Sequence, residues 1–434
     1  MTQQWRNWGR SASAHPQQVA APADEAELAD AIAAAAHAGR PIRPVGSGHS
    51  FTPIAATDGV LLRLDRLSGL RRVDAATGEA TFGAGTRLAD IPALIAPHHL
   101  AMENLGDIDR QTLAGAVSTG THGTGLGFTG IAGQVTGVRI MLADGSVVDA
   151  DRDHRPDLFD AARLGLGAFG VLTEIRVRCV PEFLLAAQER PEPLDALLDD
   201  FAERAAAVDH LEFYVFPHTA TAAVKENTRL PVTAERHPRS ALRAIMDDEV
   251  TQNGLFAAVC AVGWAAPSAI PRMNRVAAQM MSRSSYTDTS TAILTTSRRV
   301  RFREMEYGID LDALPQALRQ VRALIDERGW RISFPMEIRV AAADDIPLST
   351  AYGRPTAYVA VHRYVREPFA QYFLAVQDIM LAHGGRPHWG KLHSLDASAL
   401  RPRYPRFDEI AALRRDVDPT GLWRNDYVGR VFGY

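Results

Sequence analysis

Arg43-Pro44-Val45-Gly46-Ser47-Gly48-His49-Ser50-Phe51 is the stretch that most restricts what this chain can fold into. Residues 42–45 read as a strand, which then breaks into a loop with two glycines one residue apart. Glycine accepts positive φ and lets a backbone come close to a ligand. Successive inward N–H groups in such a loop form a nest for an anion such as a pyrophosphate. His49 stands at the loop apex with no apolar run around it. Taken alone, the loop reads as an ordinary turn with a surface histidine. Its neighbours decide.

Two more glycine-dense stretches follow before residue 180. Residues 104–125 include Gly106 and the run Ser118-Thr119-Gly120-Thr121-His122-Gly123-Thr124-Gly125. They read as a loop that offers hydroxyls and backbone N–H groups but little bulk. Ile108 and Leu113 flank the small residues and need burial, so close approach to a large flat ligand explains the run better than a surface loop does. Residues 164–177 carry Gly165, Gly167 and Gly170, then enter an alternating strand at Val171. Three such loops at strand ends point to one extended ligand threaded between them.

Around these loops the pattern alternates. A helix is expected over 20–39, capped at Asp24, stopped at Gly39 and burying Leu28, Ile32 and Ala35. Strands are expected at 42–45, 60–64 and 80–85, and Thr86 reads as the cap of a helix through 91–94. A hairpin covers 135–150 and a short helix 157–162. The character changes near Pro181, and Glu189-Arg190-Pro191-Glu192-Pro193 reads as a junction. An amphipathic helix follows over 194–207, then a strand at 212–216. Residues 230–253 read as polar and irregular. A helix over 315–328 and strands at 334–340 and 357–365 suggest a second sheet covered by helices.

A chain of 434 residues exceeds one core, so two domains are expected. Its net charge of −4 argues against a nucleic-acid partner, which would call for a basic stripe. Cys179 and Cys260 form no CxxC pair; no metal is expected, and the sparse cysteines fit a reducing cytoplasm. The N-terminus is polar, with Trp5 and Trp8, and lacks a signal-peptide core. The most apolar window, 255–270, is shorter than the ~20 residues a bilayer span needs and reads as core. Peripheral membrane contact stays open.

Gly46-Ser47-Gly48-His49-Ser50, the Ser118–Gly125 run, Glu337-Ile338-Arg339 and His388-Trp389-Gly390-Lys391 occur in that order. Together they resemble the sugar-1,4-lactone oxidases and alditol oxidases of the vanillyl-alcohol oxidase/para-cresol methylhydroxylase-type flavoproteins. The resemblance implies an α+β, two-domain protein. An FAD-binding domain of two α/β subdomains would occupy 1–183, and a substrate domain with an antiparallel sheet 184–385. Residues 386–434 would return to the first domain. It implies FAD as cofactor, bonded to His49 through the flavin 8α-methyl carbon. Gly46, Ser47, Gly48, Ser50, Gly106, Ser118, Gly120, Thr121, His122, Gly123, Gly125, Gly170 and Val171 would cradle it, with His122 in a structural role. A sugar lactone, or alternatively a polyol, would be the substrate, with dioxygen or another redox acceptor as oxidant. Gly106 would leave room for dioxygen, which leans toward an oxidase producing hydrogen peroxide.

Oxidising an alcohol carbon needs a path for hydride, which the cofactor takes, and a path for the hydroxyl proton. Glu337 and Arg339, two apart on a strand, share a face. The residues alone leave that face open between an exposed ion pair and a buried site; the resemblance assigns it to the active site. Arg339 would orient substrate oxygens, and Glu337 would orient Arg339. The turn at 388–391 would aim the Lys391 ammonium at developing charge. His362 is the candidate proton acceptor, on the strand at 357–365.

Overall fold

The computed structural model describes residues 4–240, 254, 256–296 and 298–433. It contains two large cores. The first gathers buried residues from Leu28 to Cys179 with Trp389, Tyr404, Trp423 and Phe432 from the C-terminal segment. The second gathers residues between Leu194 and Met380.

The first core holds two sheets. Gln18–Ala20, Val60–Arg63 and Ile42–Val45 form a parallel trio with Val60–Arg63 in the middle. The helix Glu25–His37 crosses between the outer two and buries Leu28, Ile32 and Ala35, with Asp24 accepting from Glu27 N. Beside it lies an antiparallel sheet ordered Val147–Asp151, Val135–Met141, Val171–Pro181, Glu79–Gly83, Leu70–Asp74.

The second core is one antiparallel sheet in the order Ser284–Thr289, Phe183–Pro193, Thr221–Pro231, His210–Val215, Met336–Ala341, Thr356–Tyr364, Phe302–Asp310, Arg386–Pro387. Period-2 alternation divides its side chains. Phe213, Val215, Met305, Tyr307, Ile309, Met336, Ile338, Val340, Val359 and Val361 pack into the second core. Helices Leu194–Asp199, Phe201–Ala207, Leu314–Glu327 and Ala370–Ala382 supply its other wall. The intervening residues face the opposite way, toward the first core.

Several expectations need correction. Residues 104–125 are not all loop: Thr112 caps a helix, Leu113–Thr119, that ends at Gly120 with φ 79°. Small residues there serve close packing of that helix rather than looseness. Thr86 caps nothing; its hydroxyl donates to Gly83 O, and Ile91–Ile95 starts after Asp90. The junction at 189–193 is the end of the strand Phe183–Pro193. Its neighbour Ser284–Thr289 stops opposite Glu189, so among the described residues no partner on that side asks Pro191 or Pro193 for an N–H. The helix over 194–207 is broken at Asp200. Of the stretch 230–253, residues 230–231 close a strand and 241–253 lie outside the described residues. The apolar window is not core throughout. Its helix, Phe256–Ala265, buries Cys260 and Gly263 but leaves Val262 and Trp264 about half exposed. Among the described residues, no helix is long and apolar enough to cross a membrane.

The C-terminal segment is fastened to the first core. Ile42 N donates to Leu422 O at 2.9 Å, and Phe51 N to Gly390 O at 2.6 Å. Arg43, 1% exposed, spreads its guanidinium over the carbonyls of Ile54, Leu166, Gly167 and Trp423. One side chain thus ties together the strand before His49, the third glycine loop and the chain's end.

Candidate active site

Between the two cores lies a cavity of about 1550 Å³. That exceeds the roughly 300–1,000 Å³ of a site for one small ligand. Its lining includes Gly46, Ser47, His49, Ser50, Gly106, Thr121 and His122 from the glycine loops, Glu337, Arg339 and His362 from the large sheet, and His388 and Lys391 from the C-terminal segment. A smaller cavity of about 90 Å³ adjoins the His49 loop and is lined also by Gly48, Ser118 and Gly170. Gly120, Gly123, Gly125 and Val171 are not on these walls. Val171 is fully buried in its sheet, and Gly125 N donates to Val340 O, joining the second glycine loop to the large sheet.

The loop geometry follows from its glycines. Gly48 has φ +70°, and a side chain on Gly46 would collide with Thr112 Oγ1. Ser47 Oγ donates to Arg110 O at 2.5 Å. His49 is neutral at pH 7: burial, with the charges of Lys391 and Arg110, lowers its pKa to about 4. Loops that approach this closely, beside a cavity of this size, fit a dinucleotide such as FAD.

The cavity-facing side of the large sheet is a grid of charges set by strand register. Glu189 pairs with Lys225, Lys225 with Glu212, Tyr214 with Glu337, and Glu304 with His362. Arg339 is clamped between carboxylates, with Nε 3.0 Å from Glu212 and Nη2 2.5 Å from Glu337. Tyr214 OH donates to the same Glu337 oxygen at 3.0 Å. Both side chains of the Glu337–Arg339 pair are under 15% exposed (14% and 12%), so the pair is a buried one rather than a surface one. Burial alone would lower the Arg339 pKa, but Glu337 and Glu212 drive it well above normal. Burial raises Glu337 despite the pull of Arg339.

Lys391 hangs from the turn closed by Lys391 N donating to His388 O at 3.0 Å. Its ammonium lies 2.5 Å from Glu304 and 3.7 Å from Glu306. Burial opposes its charge, but the two carboxylates overcome that and raise its pKa. Burial would raise Glu304; Lys391 and His362 instead bring it to about 2. His362 Nδ1 donates to Pro335 O at 3.0 Å, and its Nε2 lies 3.5 Å from Glu304. His122 bonds Glu306 at 2.7 Å through Nε2 and stacks on Tyr358 with ring centroids 3.6 Å apart.

Sequence reasoning missed Glu304, Glu306, Glu212, Asp107 and Arg298. The first two lie on Phe302–Asp310, an unassigned strand, yet alternation with Met305, Tyr307 and Ile309 was there to read. Arg298 Nε meets Asp107 at 3.1 Å across a gap in sequence that no local pattern signals.

An FAD binding domain model matches residues 16–151, and the D-arabinono-1,4-lactone oxidase family model matches residues 175–431. The chain is 40% identical to an L-gulono-1,4-lactone dehydrogenase of Mycobacterium tuberculosis over 99% of both chains. It is 30% identical to an alditol oxidase of a Streptomyces species over 97% of both. Its fold matches a crystal structure of cholesterol oxidase from B. sterolicum at TM-score 0.83, with 16% identity, over 100% of this chain and 97% of that one. A dinucleotide-sized cavity between a glycine-looped domain and a charged antiparallel sheet is therefore what sequence similarity also finds: the chain belongs to the D-arabinono-1,4-lactone oxidase family of FAD-binding oxidoreductases.

Proposed function

We propose that this protein oxidises a sugar-1,4-lactone of the gulono, galactono or arabinono type at an alcohol carbon. The supporting observation is that Arg339, Glu337 and Lys391, all held by buried partners, share one cavity with the His49 loop. Bound FAD would supply the hydride acceptor. The Gly46–Ser50 loop would hold it, with His49 as the point of covalent attachment.

The protein's own groups then have separable tasks. Arg339 stays cationic and, held on two sides, presents its remaining donors to lactone oxygens. Lys391 keeps a positive charge beside the reacting region without needing water to stabilise it. His362 donates from Nδ1 to a carbonyl, which leaves Nε2 to take a hydroxyl proton, with Glu304 beside it to stabilise the resulting charge. Asp107, Arg298, Tyr214 and Glu212 extend the polar wall and suit a ligand with several hydroxyl groups. Gly106 leaves its cavity wall free of a side chain, which supports dioxygen as an acceptor. Both cysteines are free thiols, in keeping with a reducing cytoplasm.

The test is a panel of gulono-, galactono- and arabinono-1,4-lactone against xylitol and sorbitol, run with dioxygen and with a dye acceptor. Turnover of a lactone with peroxide formation is expected. Turnover of open-chain polyols alone would install the alditol oxidase reading. Flavin that no lactone or polyol reduces would mark a flavin-binding protein without turnover. For the attachment, acid precipitation should leave flavin in the protein pellet; flavin wholly in the supernatant refutes the His49 bond.

A further inference from the structure

The first described residues form a clasp over the His49 loop. Trp8 N donates to Gly48 O at 2.8 Å. The Asn7 side-chain amide, 3% exposed, donates to Ser50 O at 2.9 Å and reaches Phe51 O at 3.4 Å. Its oxygen meanwhile accepts from Ser11 N and Ala12 N, which curls the segment back on itself. Gly9 is the only residue type that fits next, because a Cβ there would stand 2.7 Å from the Phe51 ring.

The clasp carries an aromatic ring onto the imidazole. The Trp8 indole stacks on His49 with centroids 5.6 Å apart and planes 21° apart. Its edges meet Phe51 at 6.2 Å and, from the large sheet, Phe302 at 5.2 Å. Among the described residues the His49 ring has no hydrogen-bond partner, so the stack is what holds its plane. Trp8 is itself held from three directions and can impose an orientation.

We propose that Trp8 is a positioning residue that presents the His49 imidazole to the flavin 8α carbon, so that the covalent link forms efficiently. The proposal rests on the His49 attachment argued above. Joining the two exchanges one imidazole N–H and one methyl C–H for a C–N bond. The two electrons and two protons released reduce the isoalloxazine, and the acceptor used in turnover, dioxygen or a redox dye, reoxidises it. His49 meets the chemical need, being neutral with a free lone pair. What remains is to hold the ring at one angle, and a stack of this kind favours one orientation by about two- to tenfold.

The test compares freshly purified holoenzyme of the natural chain with Trp8→Phe and Trp8→Leu. For each, total flavin per protein is measured, then the fraction that stays with acid-precipitated protein. Trp8→Leu should lower the precipitated fraction roughly two- to tenfold at unchanged total flavin, while Trp8→Phe, which keeps a ring, stays near the natural value. Equal precipitated fractions in all three would overturn the role of Trp8 and leave the His49 bond standing. No precipitated flavin in the natural chain would overturn both. Loss of total flavin in Trp8→Phe and Trp8→Leu alike would show that the segment serves general binding, against an orienting role.

Discussion

Glu304→Gln removes the nearer of the two carboxylates that keep Lys391 charged. In the natural chain the two groups are 2.5 Å apart, with side chains 6% and 23% exposed. At that separation and an effective dielectric near 20, their attraction is about 7 kcal/mol before desolvation is counted. Removing one partner of a buried pair costs a net ~3–5 kcal/mol. Glu306 remains 3.7 Å from the ammonium, so the lower end applies, about 3 kcal/mol. That is a substantial part of a typical stability of about 5–15 kcal/mol. The pH dependence has a definite sign. Glu304, lowered to about 2, stabilises the fold above its unfolded pKa, and this is lost as pH falls through about 2. Lys391, raised, stabilises it below its unfolded pKa, and this is lost as pH rises through the folded value. In the variant the acid loss disappears and the ammonium, buried with one partner fewer, gives up its proton at lower pH. The assay is kcat against pH from 6 to about 10, with melting temperature followed in parallel. The alkaline limb of kcat should move toward neutral, with a lower melting temperature at pH 7. An active variant whose alkaline limb coincides with that of the natural chain would refute the assignment of Lys391 as a charged active-site group.

Other expectations follow from the same structure. Arg339→Lys keeps a charge but loses the fork that meets Glu212 and Glu337 together, so KM should rise at least ~10-fold, measured with the preferred lactone. Gly106→Ala places a methyl group 3.1 Å from both His122 O and Thr121 Cγ2. The fold should hold, and reoxidation by dioxygen should slow while turnover with a dye acceptor persists; stopped-flow absorbance separates the two half-reactions. Asp344, raised to about 6 mainly by burial, resists ionisation, so Asp344→Asn should raise the melting temperature more at pH 8 than at pH 5. Arg43→Met strips donors from four carbonyls, each loss costing about 1–3 kcal/mol, and should reduce both melting temperature and flavin content.

Much of this architecture was legible because its signals are local. The His49 loop, the turn at 388–391 and the pair Glu337–Arg339 each lie within a few residues, and each reaches the cavity. The helix at Asp24 was readable from its cap, and the strand Ile42–Val45 from its apolar residues. What failed was tertiary in origin. Glycine and hydroxyl residues at 112–120 suggested a loop, whereas neighbours packed against them select a helix. Prolines at 191 and 193 suggested a junction, whereas they end a strand whose neighbour on one side, Ser284–Thr289, stops opposite Glu189. Glu304 and Glu306 drew no attention because a carboxylate on an alternating strand is usually solvated, and their partners Lys391, His362 and His122 are all distant in sequence.

By itself, then, the order of residues determined the glycine loops, the alternation that gives the large sheet one apolar and one charged face, and the histidine at the loop apex. Those are properties of backbone freedom and side-chain period, and they act over a few residues at a time. The folded chain decided which charges meet. Arg339 finds Glu212, Lys391 finds Glu304, and Trp8 covers His49 only once strands distant in sequence are in register. Coulomb attraction and desolvation depend on distance in space, and that distance exists only after folding.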